Sequence, residues 1–382
     1  MKVVIIGASV AGSATALALA RAGHDVQLFE RGETAETGAG FVLWPNATFV
    51  LDRLQILDAI GELSARPAAM TRFDLAGQAL GGWDLLALER KMGYPSLSIL
   101  RSDLLRILHR ALRRQGVEVQ TGCRAIELLD SPGVQFEGGR TITADLVVGA
   151  DGRRHSVTRR YVRPEHAAIY QGFVNWVGVS PVRLSRPIVH DYAAAERRFG
   201  IVPVAGEKVY WAGAMRRDSA PAPNETLSRA ELLELFTGWP PVVREVIERS
   251  EKGAFKTIGI YDVEPNLAWH RGNVLLIGDA AHAACPTSGQ GVSQALEDAW
   301  HLRDCLPKRA TRVSDALTEF TRLRFEKTRA ITQSGRALAR ELFRPQSAGA
   351  AAHRPSGAAL DLASLASFWG AGLPLQKSGS TP

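Results

Sequence analysis

The hydrophobic pattern at the start of the chain predicts a strand, a tight turn and a helix. Residues 2–6 form an apolar, β-branched run of the kind found in buried parallel strands. Residues 10–21 repeat apolar side chains at helical spacing, and Gly23 fits the end of that helix. A second apolar stretch, 26–30, predicts another strand that ends in Glu30. The chain therefore opens with a predicted β-α-β unit.

The same pattern of strand followed by turn recurs twice further along. Residues 144–152 predict an apolar strand that delivers Asp151 into a glycine-containing turn, and residues 273–279 do the same for Asp279. Because the carboxyl ends of parallel strands meet at one edge of a sheet, ligands bind there. We therefore expect the three turns to grip one extended ligand.

The intervening segments show other patterns. Residues 102–114 predict an amphipathic helix just after Arg101, whereas the glycine-rich residues 35–46 lack helical periodicity and predict a loop running close to a flat ring. Residues 169–215 are β-rich, which predicts an inserted sheet that walls a cleft. Within it, alternation places one of Tyr210 and Trp211 toward the core and the other toward the cleft.

These patterns predict an α/β chain whose two lobes are interleaved along the sequence. Residues 1–165 are expected to form the first part of a nucleotide-binding lobe, including segments that approach the substrate cleft. Residues 166–265 are expected to form a β-rich substrate lobe with a helical return. Residues 266–335 then complete the first lobe and add a closing helix, and 336–382 give a C-terminal helix and a frayed tail.

Composition narrows the class of protein. The 382 residues are 46% hydrophobic, enough for a large core divided into two lobes. The 46 Lys and Arg exceed the 39 Asp and Glu, but they are scattered, as at Arg197 and Arg198, so no nucleic-acid partner is expected. The three cysteines are too far apart for a disulfide framework or a metal site, which favours a reduced cytoplasm. No integral membrane segment is predicted.

The first turn has the chemistry of a pyrophosphate site. Gly7 permits the turn, Gly12 lets the helix pack closely, and the N–H groups at the helix N-terminus can bond phosphate oxygens. Glu30 stands where a carboxylate can accept hydrogen bonds from a ribose. Ser9 replaces the middle glycine of the usual fingerprint, and its hydroxyl can donate to a phosphate oxygen.

In this order, the motifs at residues 7–12, 151–152 and 278–282 resemble those of single-component FAD-dependent aromatic hydroxylases, the family similar to para-hydroxybenzoate hydroxylase. The resemblance implies a Rossmann-like FAD-binding lobe, an inserted, mainly antiparallel β-sheet substrate lobe and C-terminal helices. It implies FAD as cofactor, NAD(P)H as co-substrate and O2 as oxidant. An aromatic or heteroaromatic small molecule would be hydroxylated through a flavin C4a-hydroperoxide.

The resemblance also assigns residues to roles. The cofactor-binding residues that it implies are Gly7, Ser9, Ala11, Gly12, Glu30, Arg31, Gly40, Arg101, Asp151, Asp279, Pro286, Gly289, Gln290 and Gly291. Arg153 and Arg159 are implied as phosphate partners near the Asp151 turn. Pro286, Tyr210 and His282 are the catalytic candidates, with His190 as a further candidate base and a structural role favoured for His282.

Several alternatives remain at this point. The same motifs serve other flavin-binding oxidoreductases, such as an epoxidase, a halogenase or a dehydrogenase, and also a non-catalytic flavin-binding sensor. A halogenase is disfavoured because residues 175–180 do not supply the Trp-x-Trp-x-Ile-Pro segment of that family. The chain is expected to be a monomer or a homodimer.

Overall fold

Two large β-sheets, joined by helices, carry the architecture. The computed structural model describes residues 1–32, 40–130, 132–307, 312–344 and 361–375. The strands are β1 Lys2–Ile6, β2 Asp25–Phe29, β3 Gly40–Leu43, β4 Ala69–Phe73, β5 Ala79–Asp84, β6 Leu97–Leu100, β7 Val119–Gln120, β8 Ala125–Leu129, β9 Gly133–Phe136, β10 Thr141–Thr143, β11 Leu146–Gly149, β12 Ile169–Ser180, β13 Ile188–Ala194, β14 Arg197–Val204, β15 Lys208–Arg216, β16 Thr226–Ser228, β17 Ala254–Lys256, β18 Ile258–Asp262, β19 His270–Arg271 and β20 Val274–Leu276.

The helices flank both sheets. They are α1 Val10–Arg21, α2 Pro45–Arg53, α3 Leu57–Gly61, α4 Leu85–Met92, α5 Arg101–Arg114, α6 Val157–Val162, α7 Arg229–Leu235, α8 Pro241–Glu248, α9 Asp279–His282, α10 Gly291–Cys305, α11 Val313–Leu342 and α12 Leu362–Gly370, with a 3-10 turn at Pro286–Ser288. Within the described part of the chain, no helix has both the length and the apolar character needed to cross a bilayer.

The first sheet contains the three predicted strands and is mostly parallel. Its order is β19-β20-β11-β1-β2-β7, and β1 pairs in parallel with both β2 and β11. Because β11 also pairs in parallel with β20, the turns after β1, β11 and β20 lie side by side at one edge. The central strands are fully buried, as expected for apolar runs covered by helices on both faces. The expectation that the three motif strands share one sheet is confirmed.

The second sheet is mainly antiparallel and takes strands from two parts of the chain. Its order is β18-β12-β15-β14-β13-β4-β5, with one parallel pair between β13 and β4. The strands β4 and β5 lie well before the β-rich segment 169–215, and the sequence pattern missed them. The largely exposed β5 contains Gly81 and Gly82, so it has no apolar alternation by which to recognise a strand.

The prediction of a loop over the glycine-rich segment 35–46 is wrong in its second half. Residues 33–39 lie outside the described residues, but Gly40–Leu43 form β3, which pairs antiparallel with β6. Helix α2 begins directly afterwards, with Pro45 at its first position. Pro at the start of a helix is favourable because its missing N–H would have no partner there. The tight approach of Gly40 to its neighbours explains the glycine better than loop mobility does.

Helix α11 ties the two sheets together through buried ion pairs. Near its middle, Arg324 pairs with Glu297 and Asp298 of α10, at 2.6 Å and 2.9 Å. Further along, Arg336 pairs with Asp262 at the end of β18 in the second sheet, at 2.7 Å. Breaking such buried pairs by removing one partner costs about 3–5 kcal/mol. Helix α11 therefore forms ion pairs both with α10 and with the second sheet.

Candidate active site

At two glycines, the turn after β1 and the start of α1 have no room for a side chain. Gly7 has φ +101°, and a Cβ there would lie 2.3 Å from the carbonyl oxygen of Ala150. A Cβ on Gly12 would lie 1.9 Å from the carbonyl oxygen of Gly7. Within the described part of the chain, no side chain caps the N-terminus of α1. Its first N–H groups and its positive dipole end are therefore available to an anion such as pyrophosphate.

Two side chains complete this turn. The Glu30 carboxylate accepts hydrogen bonds from the backbone N–H of Ala8 at 2.9 Å and of Gly32 at 3.2 Å, which fixes it at the end of β2. The guanidinium of Arg101, the first residue of α5, donates to Ser9 Oγ at 2.7 Å. Burial lowers the pKa of Arg101, and the carboxylates of Asp279 and Glu30 oppose that effect. The serine in the middle glycine position is thus held by a cation.

The two aspartates of the later turns have different surroundings. Asp151 caps α6: its carboxylate accepts from the hydroxyls of Ser156 and Thr158, at 2.5 Å and 2.6 Å, and from the Thr158 N–H. Asp279 is half-exposed, and its Oδ2 accepts from Nε and Nη2 of Arg153, at 3.0 Å and 2.5 Å. Asp151 therefore shapes its turn, whereas Asp279 and Arg153 present a charged pair to a ligand.

The prediction that Arg159 contacts phosphate is not supported by its surroundings. Arg159 is buried, and its guanidinium donates to the carbonyl oxygens of Gly152, Arg153 and Ala280. It does not line the cavity described below. A buried guanidinium that bonds carbonyls on both the 151–153 and 278–280 turns instead holds those turns together.

The loop before α10 is held by hydrogen bonds from residues at the start of α2. Trp44 Nε1 donates to the Gly289 carbonyl oxygen at 2.7 Å. The Gln290 side chain is turned inward, where its Oε1 accepts from Asn46 Nδ2 at 3.0 Å and from Gln294 Nε2 at 3.2 Å. Pro286, Gly289 and Gly291 line the cavity, but Gln290 does not. Backbone and small side chains of this loop therefore form a surface against which a flat ring can lie.

These parts meet around one cavity of about 970 Å³. That volume is at the upper end of the range for ligand pockets, so it can hold a dinucleotide cofactor and leave room beside it. Of the predicted site residues, the cavity is lined by Gly7, Ser9, Ala11, Glu30, Arg31, Gly40, Arg101, Asp151, Tyr210, Asp279, Pro286, Gly289 and Gly291. The basic residues Arg31, Arg101 and Arg153 also line it, which suits the negative charge of a dinucleotide.

His282 does not line the cavity, which argues against the predicted catalytic role. Its Nε2 lies 2.6 Å from Oδ2 of buried Asp298, and its ring packs 5.1 Å from Trp269. Asp298 also accepts from the N–H of Gly278 at 2.8 Å. The pair therefore supports the 278–279 turn from beneath, the structural role favoured from the sequence. Gly12 likewise acts by packing and lies outside the lining.

The second sheet supplies the opposite wall. Tyr210 lines the cavity while Trp211 is fully buried, so Tyr210 is the residue of this pair that faces the cleft. The Tyr210 ring packs on Gly40, where a Cβ would approach it to 2.9 Å, and burial raises the pKa of Tyr210 to about 12. His190 also lines this wall, with its Nδ1 3.0 Å from the Tyr192 hydroxyl, and burial lowers the pKa of His190.

One residue of this wall is not predicted from the sequence. Arg198, named there only among the scattered basic residues, lines the cavity, and its Nε donates to Asp191 Oδ1 at 2.6 Å. Arg197 points elsewhere and donates to the Leu235 carbonyl. Alternation along a strand is the signal that shows that two consecutive arginines face opposite sides of the sheet.

The nucleotide half of the cavity fits FAD, and comparisons with known proteins agree. A family model described as FAD binding domain matches residues 1–333. The chain is 32% identical over 354 residues to a 3-amino-4-hydroxybenzoate 2-monooxygenase from Streptomyces cremeus, covering 90% of this chain and 88% of the relative. It is 30% identical over 342 residues to a FAD-dependent urate hydroxylase from Mycolicibacterium vanbaalenii, covering 86% and 85%.

A solved structure shares the whole arrangement. The crystal structure of Klebsiella pneumoniae HpxO complexed with FAD and uric acid superposes with a TM-score of 0.80 at 26% identity, covering 91% of this chain and 90% of that one. These relatives favour the hydroxylase interpretation over the dehydrogenase, halogenase and sensor alternatives. The chain belongs to the family of FAD-binding monooxygenases that includes these aromatic and heteroaromatic hydroxylases.

Proposed function

We propose that the substrate is a planar aromatic or heteroaromatic compound that carries a carboxylate, an acidic hydroxyl or a similar anionic group. The observation that carries this proposal is the placement of the Arg198 guanidinium on the second-sheet wall of the cavity. Uric acid and 3-amino-4-hydroxybenzoate, named for relatives of the chain, are both acidic ring compounds.

Arg198 brings a positive charge to the cavity that is only partly compensated. Asp191 is buried between two cations: Arg72 donates to its Oδ2 at 2.9 Å and Arg198 to its Oδ1 at 2.6 Å. These two arginines lower the pKa of Asp191 against the effect of burial. The three groups together remain positive, and a partly buried charge is stabilised by an anionic partner. A substrate anion would fill that role.

The rest of this wall suits a flat ring. Phe173 and Phe343 stack at a centroid distance of 4.3 Å and both face the cavity. The other apolar residues of this half are Val42, Met70, Val189, Val202, Ala212, Ala214 and Ala284. Such a surface excludes water and gains free energy by burying an aromatic ring. The ring would lie between it and the loop 286–291.

The residues divide the work of the reaction. When bound, FAD accepts hydride from NAD(P)H and, once reduced, activates O2 for transfer to the ring. We assign the turn at 7–12, with Glu30 and Arg101, to the adenosine and pyrophosphate, and Asp279 with Arg153 to the flavin side. Pro286, Gly289 and Gly291 would hold the ring system in place. The apolar wall keeps water from the site of oxygen transfer.

Proton handling falls to two residues of the second sheet. Tyr210 keeps its proton at neutral pH, because burial raises its pKa to about 12, so it acts as a hydrogen-bond donor. His190 is neutral at that pH, since burial lowers its pKa. In the tautomer whose Nδ1 donates to the Tyr192 oxygen, its Nε2 can accept a proton from a ring hydroxyl. Loss of that proton would make the ring more nucleophilic.

The two lobes of the chain have separate roles in this proposal. We propose that residues 1–165 and 266–335 serve FAD and that 166–265 serve the substrate, with β4 and β5 added to the substrate side because they pair within its sheet. We also propose a cytoplasmic enzyme that is a monomer or a homodimer, in keeping with its three unpaired cysteines.

A panel of paired compounds tests the proposed substrate class. Phenols, hydroxylated heterocycles and purines, each with and without an acidic group, are incubated with the FAD-loaded enzyme and NAD(P)H, and hydroxylated product is measured. We expect product from the acidic members. Arg198→Met should raise their KM by roughly tenfold to a hundredfold. Arg197→Met, on the same strand but facing away, should leave the KM unchanged.

The opposite pattern would refute the substrate class. If neutral members of each pair were hydroxylated as efficiently as acidic ones, or if Arg198→Met left the KM of an acidic substrate unaltered, Arg198 would not bind the substrate.

A further inference from the structure

The C-terminal helix α12 packs behind the wall of the cavity. Its Trp369 is buried, with its ring 4.8 Å from that of Trp44 and 6.0 Å from that of Trp83. Leu365, one turn earlier, is buried in the same cluster with Leu88 of α4. The helix comes from a part of the chain beyond the matched family segment 1–333. It nevertheless contacts Trp44, which lines the cavity.

The first route from α12 to the cavity runs through the indole of Trp44. One face of Trp44 packs on Trp369, and its Nε1 donates to the Gly289 carbonyl oxygen at 2.7 Å. Gly289 ends the 3-10 turn with φ +64°, and its Cα lies so close to Trp44 that an added Cβ would be 3.5 Å from the indole nitrogen. The position of Trp44 therefore fixes the position of this carbonyl and of the peptide that follows it.

The second route runs through a buried lysine. Lys327 of α11 donates to the carbonyl oxygens of Trp369 and Ala371, at 2.6 Å and 3.0 Å, at the C-terminal end of α12. The same ammonium donates to Glu297 Oε1 at 2.9 Å. That oxygen also accepts from Asn46 Nδ2 at 2.7 Å, and Asn46 Nδ2 lies 3.0 Å from Gln290 Oε1. A chain of polar contacts thus joins the end of α12 to the side chain of Gln290.

Both routes converge on the same loop, at neighbouring residues. We propose that α12 is a positioning element for the loop 289–291. The positioning residues are Trp369 of α12 and Lys327 of α11, which binds the end of α12. The proposal rests on the assignment of that loop to the flavin ring. Neither residue touches the cavity. Both act by restricting the Gly289 carbonyl and the Gln290 side chain, so that the loop keeps one conformation behind the ring.

A loop that is free to move would admit water beside the reacting centre, and this would change the products. In the coupled reaction, one substrate molecule, one NAD(P)H, one O2 and one proton yield one hydroxylated product, one NAD(P)+ and one water. In the uncoupled reaction, the same NAD(P)H, O2 and proton yield NAD(P)+ and hydrogen peroxide, and the substrate is unchanged. Loss of α12 contacts should shift the balance toward hydrogen peroxide.

Hydrogen exchange in the FAD-loaded, full-length enzyme tests the proposal without any substrate. Trp369→Ala should speed exchange of the amides in 286–294 roughly tenfold, while Trp369→Phe, which keeps an aromatic ring on Trp44, should stay near the wild-type rate. Lys327→Met should speed exchange in the same segment. Trp239→Ala removes a buried indole from the link between α7 and α8, in the core of the second sheet, and should leave 286–294 unchanged.

Product measurement provides the second readout. With an acidic compound that is hydroxylated, Trp369→Ala should raise hydrogen peroxide per NAD(P)H several-fold and lower the kcat for product, with little change in KM. Unchanged exchange in 286–294 of both FAD-loaded Trp369→Ala and Lys327→Met would overturn the proposal. So would a Trp239→Ala enzyme with the same exchange and peroxide changes. A failed substrate panel alone would leave the exchange test intact, so the two proposals fail separately.

Discussion

The two walls of the cavity recognise their ligands in different ways. The nucleotide wall is made of turns after parallel strands and of the loop before α10, and it presents backbone N–H groups and small residues such as Gly7 and Gly289. The substrate wall is made of side chains on antiparallel strands, such as Arg198 and Tyr210. The first wall depends on a few consecutive residues, whereas the second depends on which strands pair. Substitutions should therefore abolish binding on one wall and retune it on the other.

The largest effect is expected from Gly12→Ala on the nucleotide wall. The added Cβ would lie 1.9 Å from the Gly7 carbonyl oxygen, so the turn and α1 must separate. We expect loss of bound FAD, measured as the flavin absorbance of the purified protein. Gly61→Ala, at the end of α3 where nothing lies within 4 Å of the added Cβ, is the matched control. A Gly12→Ala protein that retained stoichiometric FAD would contradict the role given to this turn.

A smaller effect on the same side is expected from Asp298→Asn. Asp298 is fully buried against His282 and Arg324, which lower its pKa to about 2 from an ordinary 3.8. Replacing it removes a carboxylate that compensates the buried Arg324 guanidinium and should cost about 3 kcal/mol of the free energy of unfolding. Chemical denaturation at pH 7 measures this loss.

The same residue predicts how stability changes with pH. Because the pKa of folded Asp298 is depressed, its contribution is present above about pH 4 and is lost as the pH falls through 2. Asp298→Asn should therefore lose stability at pH 7 and show a shallower decline between pH 4 and pH 2. An equal decline in both proteins would mean that other carboxylates govern acid unfolding.

The smallest effect is expected from Tyr210→Phe on the substrate wall. The hydroxyl keeps its proton up to a pKa of about 12, so it contributes a hydrogen bond and no titration near neutral pH. We expect kcat to fall by roughly threefold to tenfold, as for one lost hydrogen bond. The pH dependence of kcat between pH 6 and 9 should keep its shape. A limb that disappeared from that profile would instead identify Tyr210 as a titrating group.

The same contrast explains which parts the sequence predicted. The β-α-β unit, the three turns and Glu30 followed from local patterns, because a glycine turn after an apolar strand needs only neighbouring residues to be recognised. The contacts of the Gln290 and Asp151 side chains were harder to predict. Both residues lie in predicted turns, but their side chains bond partners such as Asn46 and Ser156. Which way a side chain turns depends on contacts from distant parts of the chain.

The substrate wall was predicted only in outline. The β-rich character of 169–215 showed that a sheet was present, and the alternation at Tyr210 narrowed the choice to one of two aromatic residues. The place of Arg198 in the cavity was not predictable, because it depends on Asp191 across the β13-β14 pairing and on Arg72 from β4. The strand that carries Arg72 had itself been missed. Sheet topology, rather than any motif, creates this charged cluster.

A crystal structure of the enzyme with FAD and the best acidic compound from the panel would show how both walls bind their ligands. We expect the pyrophosphate at the N-terminus of α1, the flavin ring against the loop 286–291, and the acidic group within hydrogen-bond distance of Arg198. A flavin ring bound away from that loop, or a substrate anion bound on a surface that the second sheet does not form, would contradict this expectation.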